Sequence, residues 1–212
     1  EMSASLVGSE MCIRDRYGHV KMTFEPSGDM DTPYVFEQTV VGGAVPKNFF
    51  PAVEKGIAES VKKGPLAAYP VTGIKAVLYD GSYHPVDSSE MAFKVATQQA
   101  FKKGIMEAKP VLLEPIATLK VVVPEGYTGD VMGELNKRRA RVMGMNPTDN
   151  GYQEIVADIP YLELYGYNAT LRSMTSGSGT FSYEFARYEQ APDDVAAKQI
   201  EERASKLVEV EE

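Results

Sequence analysis

A single cysteine, two histidines and no long apolar run describe this 212-residue chain by what it lacks. One cysteine excludes a disulfide framework, and two histidines leave a Cys/His zinc site short of ligands. No stretch approaches the roughly 18 consecutive apolar residues that a membrane-spanning helix needs. Positive charge is also in deficit: 22 Lys/Arg face 30 Asp/Glu, a formal net charge of -8. That excludes a protein that coats nucleic acid by bulk charge. No G-x-x-x-x-G-K-[ST] segment occurs, so the chain carries no phosphate-cradling P-loop. Such cysteine usage is that of a reducing compartment, and a cytoplasmic home is expected.

What is present is an ordinary globular composition, 43% hydrophobic and 25% charged. The length suits one large domain or two small ones, enough to build a core without staples. The acidic excess is concentrated at the end, where residues 193–212 hold three Lys/Arg against seven Asp/Glu. The body is therefore near neutral, and a local basic face is open to it. Lys137, Arg138, Arg139 and Arg141 form the one dense basic cluster. Charge alone leaves two readings for it, a solvated helix end or a binding patch.

Residues 1–16, EMSASLVGSEMCIRDR, show no strand alternation, helical stripe or turn pattern. They lack the basic start and apolar stretch of a secretory signal. LVGSEMCIRDR resembles the translation of a sequencing adapter. We therefore expect a non-native, disordered lead segment, with Cys12 outside any chemistry and the native chain starting near Tyr17.

Beyond it, Val20–Phe24 and Tyr34–Val41 read as strands. A link with two prolines, a glycine and two aspartates predicts a hairpin between them. Pro51 opens a helix carrying Val53, Ile57 and Val61 on one face, stopped by Gly64-Pro65. Residues 74–79 alternate as a half-buried strand ended by Asp80-Gly81. Asp87 and Glu90 make a near capping box before a helix with an Ala92, Val95, Ala96, Ala100 face. Pro110 and Pro115 bracket a connector taken as the domain boundary. From Ile116 the order is strand, helix from Thr128, strands Val142–Met145 and Tyr152–Ile159, helix Tyr161–Met174, then a strand with Phe181, Tyr183 and Phe185. This β-α-β-β-α-β order predicts a ferredoxin-like domain with two helices on one sheet face. Asp193–Leu207 follows as a terminal helix with a favourable acidic start.

Catalytic signatures are weak. Gly177-Ser178-Gly179 precedes a strand and lacks the third glycine of a dinucleotide fingerprint. Ser82, His84 and Asp87 have the residue types of a hydrolase triad but lie on one loop, whereas triad members converge from separate elements. His84, in Asp80-Gly-Ser-Tyr-His-Pro-Val-Asp87, shows no burial pattern. Tyr83-His84 at a loop tip could stack on bases or meet phosphate and ribose oxygens, or be a plain surface pair.

Several long segments in order resemble bacterial elongation factor G. They are YGHV (17–20), VGGAVPKNFFPAVEKGI (41–57), GPLAAYPV (64–71), LYDGSYHPVDSSEMAFK (78–94), PVLLEPI (110–116), GDVMGELNKRR (129–139), LYGYNATLRSMT (164–175) and FSYEFARYEQAP (181–192). The resemblance runs from Tyr17 to about residue 200. It implies an α+β chain with two domains, residues 17–115 in a ribosomal-protein-S5-like α/β fold and 116–192 in a ferredoxin-like fold. Residues 193–212 would form a C-terminal helix and acidic tail packing on the first domain. It also implies a truncated translational GTPase whose GTP and Mg2+ belong to upstream domains, so that the chain itself is no enzyme and holds no cofactor. Partners implied are the ribosome's rRNA, the tRNA–mRNA pair at the decoding site and the GTPase-associated centre, for a monomer without membrane contact. Gly81, Ser82, Tyr83, His84 and Asp87 would then contact tRNA at the decoding site. Lys137, Arg138, Arg139 and Arg172 would contact rRNA. Pro85 stands where the family commonly has an acidic residue, and Ser178 where it commonly has a basic one. These departures point to an elongation factor G-like paralogue as the alternative to the main translocase. A stand-alone ferredoxin-like regulatory module is the reading from fold analogy alone.

Overall fold

The computed structural model describes residues 5–12 and 17–211, with side chains from residue 17 to 204. The chain divides into two compact units, Glu1–Pro110 with Asp194–Glu212, and Val111–Asp193. The division falls at the start of the connector that Pro110 and Pro115 bracket.

The first unit is a four-stranded sheet with two helices. Its elements are β1 (Ser5–Cys12), β2 (Tyr17–Pro26), β3 (Tyr34–Gln38), α1 (Phe50–Lys62), β4 (Ile74–Ser82) and α2 (Glu90–Glu107). The strand order is β1-β2-β4-β3. Alternation explains the core, because every second residue of β2 and β4 points to the helix-bearing face. Val20, Met22 and Phe24 thus join Ala76 and Leu78 beneath Val53, Ile57, Phe93 and Phe101.

Four expectations are corrected in this unit. Against the disorder expected of the lead segment, Ser5–Cys12 pairs antiparallel along β2 from Ser5↔Phe24 to Cys12↔Tyr17. Backbone pairing needs no apolar pattern, and β2 otherwise offers an unpaired edge. Ile13 and the side chain of Leu6, whose packing into a core would argue against a foreign segment, lie outside the described residues.

The expected hairpin between β2 and β3 does not form. β4 lies between them, antiparallel to β2 and parallel to β3. The link is tied instead to the residues just before β4: Ser27 N–H donates to the Gly73 carbonyl, and Thr72 Oγ1 donates to the Met30 carbonyl. Within the link, Asp31 N–H and Thr32 Oγ1 donate to the Asp29 carboxylate, Thr32 foremost holding its pKa below the ordinary value. This self-contained turn carries the chain across the end of β4.

The start of α2 is the third correction. Ser89, not Asp87, is the N-cap, its Oγ accepting from Ala92 N–H at 3.2 Å. Such a cap contributes about 1 kcal/mol. The fourth is that Asp80-Gly81 does not end β4, which continues through Ser82 against His19.

The second unit comprises β5 (Leu113–Pro124), α3 (Thr128–Lys137), β6 (Arg141–Thr148), β7 (Tyr152–Pro160), α4 (Tyr167–Met174) and β8 (Thr180–Gln190). The order β6-β7-β5-β8, all neighbours antiparallel, is that of a ferredoxin-like sheet. Leu119, Val121, Ile155 and Ala157 pack under Val131, Leu135 and Leu171 of the two helices. The expected helix over Tyr161–Met174 is interrupted: a 3-10 turn, Tyr161–Leu164, precedes left-handed Gly166 (φ 72°), and α4 starts only at Tyr167. The turn after β6 is also shorter than expected, confined to Asp149–Gly151 with Asn150 at φ 64°.

The terminal helix α5 (Asp193–Glu211) belongs from Asp194 onward to the first unit. Arg203 fixes it there, lying 4.1 Å from the centre of the Tyr69 ring while its Nε donates to the Ala67 carbonyl. Ala67 and Ala68 are both left-handed, at φ 48° and 56°. Among the described residues no helix is long and apolar enough to cross a membrane.

Candidate nucleic-acid interface

The loop from Tyr83 to Ser89 joins β4 to α2 and is organised by its backbone. His84 N–H donates to Ser88 Oγ at 2.8 Å, and Ser88 N–H returns a bond to the His84 carbonyl at 3.0 Å. Tyr17 N–H donates to the Asp87 carbonyl at 2.7 Å, which ties the loop to the start of β2. Pro85 adds a fixed φ. The result is a closed turn whose side chains face solvent: Val86 is 85% exposed and Tyr83 43%. The His84 side chain is 59% exposed, with Nδ1 2.9 Å from Asp87 Oδ2.

The five residues expected to contact tRNA therefore divide. Tyr83 and His84 point outward. Asp87 is turned onto His84. Ser82 is engaged within the sheet, its Oγ 2.6 Å from Tyr17 Oη and 3.0 Å from His19 Nδ1. Gly81 supplies close approach, since a Cβ there would collide with the His19 carbonyl oxygen and lie 2.5 Å from Val45 Cγ2.

Sequence reasoning assigned Tyr17 and His19 no role. Their spacing of two in a strand puts both on one sheet face, the signal that could have joined them to Ser82. Lys21, two further on, bonds Asp80 at 2.8 Å. That hydrogen bond holds the Asp80 carboxyl below its ordinary value and the Lys21 ammonium above its own.

The basic cluster of the second unit divides in another way. Lys137, in the last turn of α3, and Arg172, in the last turn of α4, are exposed. Arg138 and Arg139 are turned inward. Arg138 Nε donates to Glu134 at 2.7 Å, its Nη1 to the Glu163 and Tyr165 carbonyls, and its Nη2 to Thr170 Oγ1. Its guanidinium also lies 5.4 Å from the centre of the buried Tyr167 ring. Burial pushes the Tyr167 phenol up to about 12. Arg139, left-handed at φ 57°, forks onto both oxygens of Glu114 at 3.1 and 2.8 Å and reaches Glu163 at 3.3 Å. The Glu114 bond foremost raises the arginine's pKa. These two cations stitch α3 to the start of β5 and to the 3-10 turn before α4.

Arg141 points to the helix-free sheet face. With Arg187 it holds Asp158, at 3.3 and 2.8 Å. Burial pushes the Asp158 carboxyl up, but the bonds from Arg187 and Arg141 outweigh it, and the net pKa is lowered.

No group of three or more His, Cys, Asp or Glu among the described residues is placed to hold a metal ion. Ser82, His84 and Asp87 do not form a triad. His84 Nδ1 meets Asp87 as a triad histidine would, but Ser82 Oγ is turned to Tyr17 and His19 instead of to the His84 ring.

Comparison with known families gives two matches in sequence order. Residues 7–109 match "Elongation factor G, domain IV" and residues 111–199 match "Elongation factor G C-terminus". The first begins inside the segment read as foreign. An "Elongation factor G-like protein" of Thermotoga maritima is 48% identical over 196 residues, which is 92% of this chain and 29% of that protein. A crystal structure from Thermus thermophilus superposes with a TM-score of 0.76 at 39% identity, covering 96% of this chain and 30% of the other. The chain thus spans less than a third of the length of these relatives.

Proposed function

We infer, from the premise that the chain belongs to the elongation factor G family, that it is the ribosome-binding C-terminal part of a factor that moves tRNA and mRNA during translocation. The first unit enters the decoding site with the Tyr83–Asp87 loop foremost, and the second faces rRNA near the GTPase-associated centre. Tyr83 and His84 make the tRNA–mRNA contact, Lys137 and Arg172 the rRNA contact. GTP hydrolysis belongs to domains outside these 212 residues. The chain's own residues do not fit GTP, because no P-loop sequence is present and the Gly177 turn leads into a strand. The factor works as a cytoplasmic monomer.

The observation that carries this reading is the projecting loop, whose outward Tyr83 and His84 take no part in either core. An imidazole and a phenol on a rigid turn suit stacking and hydrogen bonding to RNA. Exchanging His84 for Ala in a full-length factor carrying this C-terminal part should slow single-round translocation at least several-fold while GTP turnover persists. Unchanged translocation would refute the contact.

A second reading is favoured by the Thermotoga maritima relative, whose own name is elongation factor G-like. On it, the protein is a paralogue with another ribosome-associated task. Polypeptide synthesis by the full-length factor separates the two: support of repeated elongation cycles selects the translocase, and ribosome binding without elongation selects the paralogue.

A further inference from the structure

Asp87 neither caps α2 nor supports its loop through its side chain; the backbone bonds of the loop use only its carbonyl. Its carboxylate is spent on His84 Nδ1, three residues back and 2.9 Å away. A carboxylate only accepts hydrogen bonds. In a neutral imidazole one ring nitrogen carries the proton and the other a lone pair, so the contact puts the proton on Nδ1 and the lone pair on Nε2. Among the described residues the His84 ring meets no other hydrogen-bonding group, and its side chain is 59% exposed. Both ends of the pair are fixed, since Ser88 brackets His84 through two bonds and Tyr17 N–H holds Asp87. The backbone that carries the pair is therefore set before any ligand arrives, which removes part of the ordering cost of binding.

His19 provides the contrast within the same unit. Its Nδ1 faces Ser82 Oγ at 3.0 Å. A hydroxyl either donates or accepts, so that contact does not fix a tautomer.

The geometry points to Asp87 as a positioning residue that holds His84 in its Nδ1–H form, so that the loop offers RNA an acceptor nitrogen. An acceptor recognises a hydrogen-bond donor of the RNA, a ribose 2′-hydroxyl or a base amine, and discriminates against phosphate oxygens, which only accept. The RNA half of the inference rests on the function proposed above; the tautomer half does not.

The test is a long-range proton–nitrogen correlation spectrum of the chain with 15N-labelled histidine, recorded at about pH 8.5, above the ordinary imidazole value of ~6.5. His84 Nδ1 should appear at the position of a protonated ring nitrogen and Nε2 at that of a lone-pair nitrogen. Asp87→Ala should shift the pattern toward that of a free imidazole, and Asp87→Asn, whose amide oxygen still accepts, should keep it. A protonated Nε2 in the unsubstituted chain would overturn the inference, as would an Asp87→Ala spectrum identical to it. Should Asp87→Ala fail to fold, the unsubstituted and Asp87→Asn spectra still decide.

In the full-length factor, Asp87→Ala should slow translocation about as much as His84→Ala, with most of the rate restored by Asp87→Asn. A codon with 2′-deoxy sugars that reproduces the slowing assigns the donor to an mRNA ribose, and one without effect assigns it to a base or to a ribose of the tRNA. The expected spectra together with normal translocation by His84→Ala would overturn the RNA contact and leave the pairing standing.

Discussion

The loop at Tyr83–Asp87 and the basic cluster at Lys137–Arg141 make opposite use of their polar side chains. The loop has little charge, yet Tyr83 and His84 face outward, and His84 pairs within its own loop. The cluster has the densest positive charge of the chain, yet Arg138 and Arg139 are consumed by acceptors of their own unit. Charge density in a sequence therefore does not measure charge available to a partner. What decides is how many acceptors the fold brings to each cation, and Arg138 meets a carboxylate, two carbonyls and a hydroxyl.

The largest expected effect lies beneath the loop. A methyl group at Gly81 meets the His19 carbonyl, a backbone atom that moves only if β2 moves. Gly81→Ala should lose about 3 kcal/mol of stability, at the upper end of ordinary overpacking costs. Urea unfolding of the first unit measures it, and a neutral result would show that the β2–β4 end is pliable rather than set.

Next comes Arg139. Truncation to Ala leaves the largely buried Glu114 carboxylate without its fork and should cost the second unit about 2 kcal/mol. Loss of ribosome affinity without loss of stability would reverse the comparison and return Arg139 to the binding surface.

Acid should expose the same inward use of cations at Asp158. Its folded pKa lies below the unfolded value of about 3.9, so its pairing contributes stability above that range and loses it as pH falls through the folded value. Asp158→Asn should flatten the acid limb of the second unit's melting curve below about pH 4, read by circular dichroism. An unchanged acid limb would mean that Arg141 and Arg187 add nothing to stability there.

The second unit is readable in sequence because its strands alternate cleanly. Leu119, Val121 and Val123 face the core in β5, and the element order alone then selects a ferredoxin-like sheet. The first unit is harder. Nothing local in Tyr34–Gln38 says that it crosses β4 and pairs on the far side, because the signal lies in contacts of residues 27–32 with Thr72 and Gly73. Asp87 resembles a cap because it stands three residues before Glu90, while the cap itself, Ser89, stands next to that residue. The lead segment hides its pairing for another reason: a strand can be recruited through its backbone without any apolar alternation.

The candidate site is legible where it is local and hidden where it is not. The exposure of His84 follows from a loop without a burial pattern, and its function class comes from resemblance over long ordered segments. The fate of Arg138 and Arg139 is legible only in the pairing of Arg138 with Glu134 four residues back; Glu114 and Glu163 lie 24 or 25 residues away in sequence, and two of the acceptors are backbone carbonyls. Of the four residues expected to contact rRNA, Lys137 and Arg172 are the two that face solvent.

The most direct measurement is a pair of melting curves for this chain, with His84→Ala beside Arg138→Ala. If the loop is turned outward and the cluster inward, His84→Ala leaves the first unit's midpoint unmoved. Arg138→Ala should lower the second unit's midpoint by about 4 °C or more, the shift that roughly 1 kcal/mol produces in a domain of this size. The opposite result, a large drop for His84→Ala and none for Arg138→Ala, would contradict the account, making the histidine structural and the arginine free.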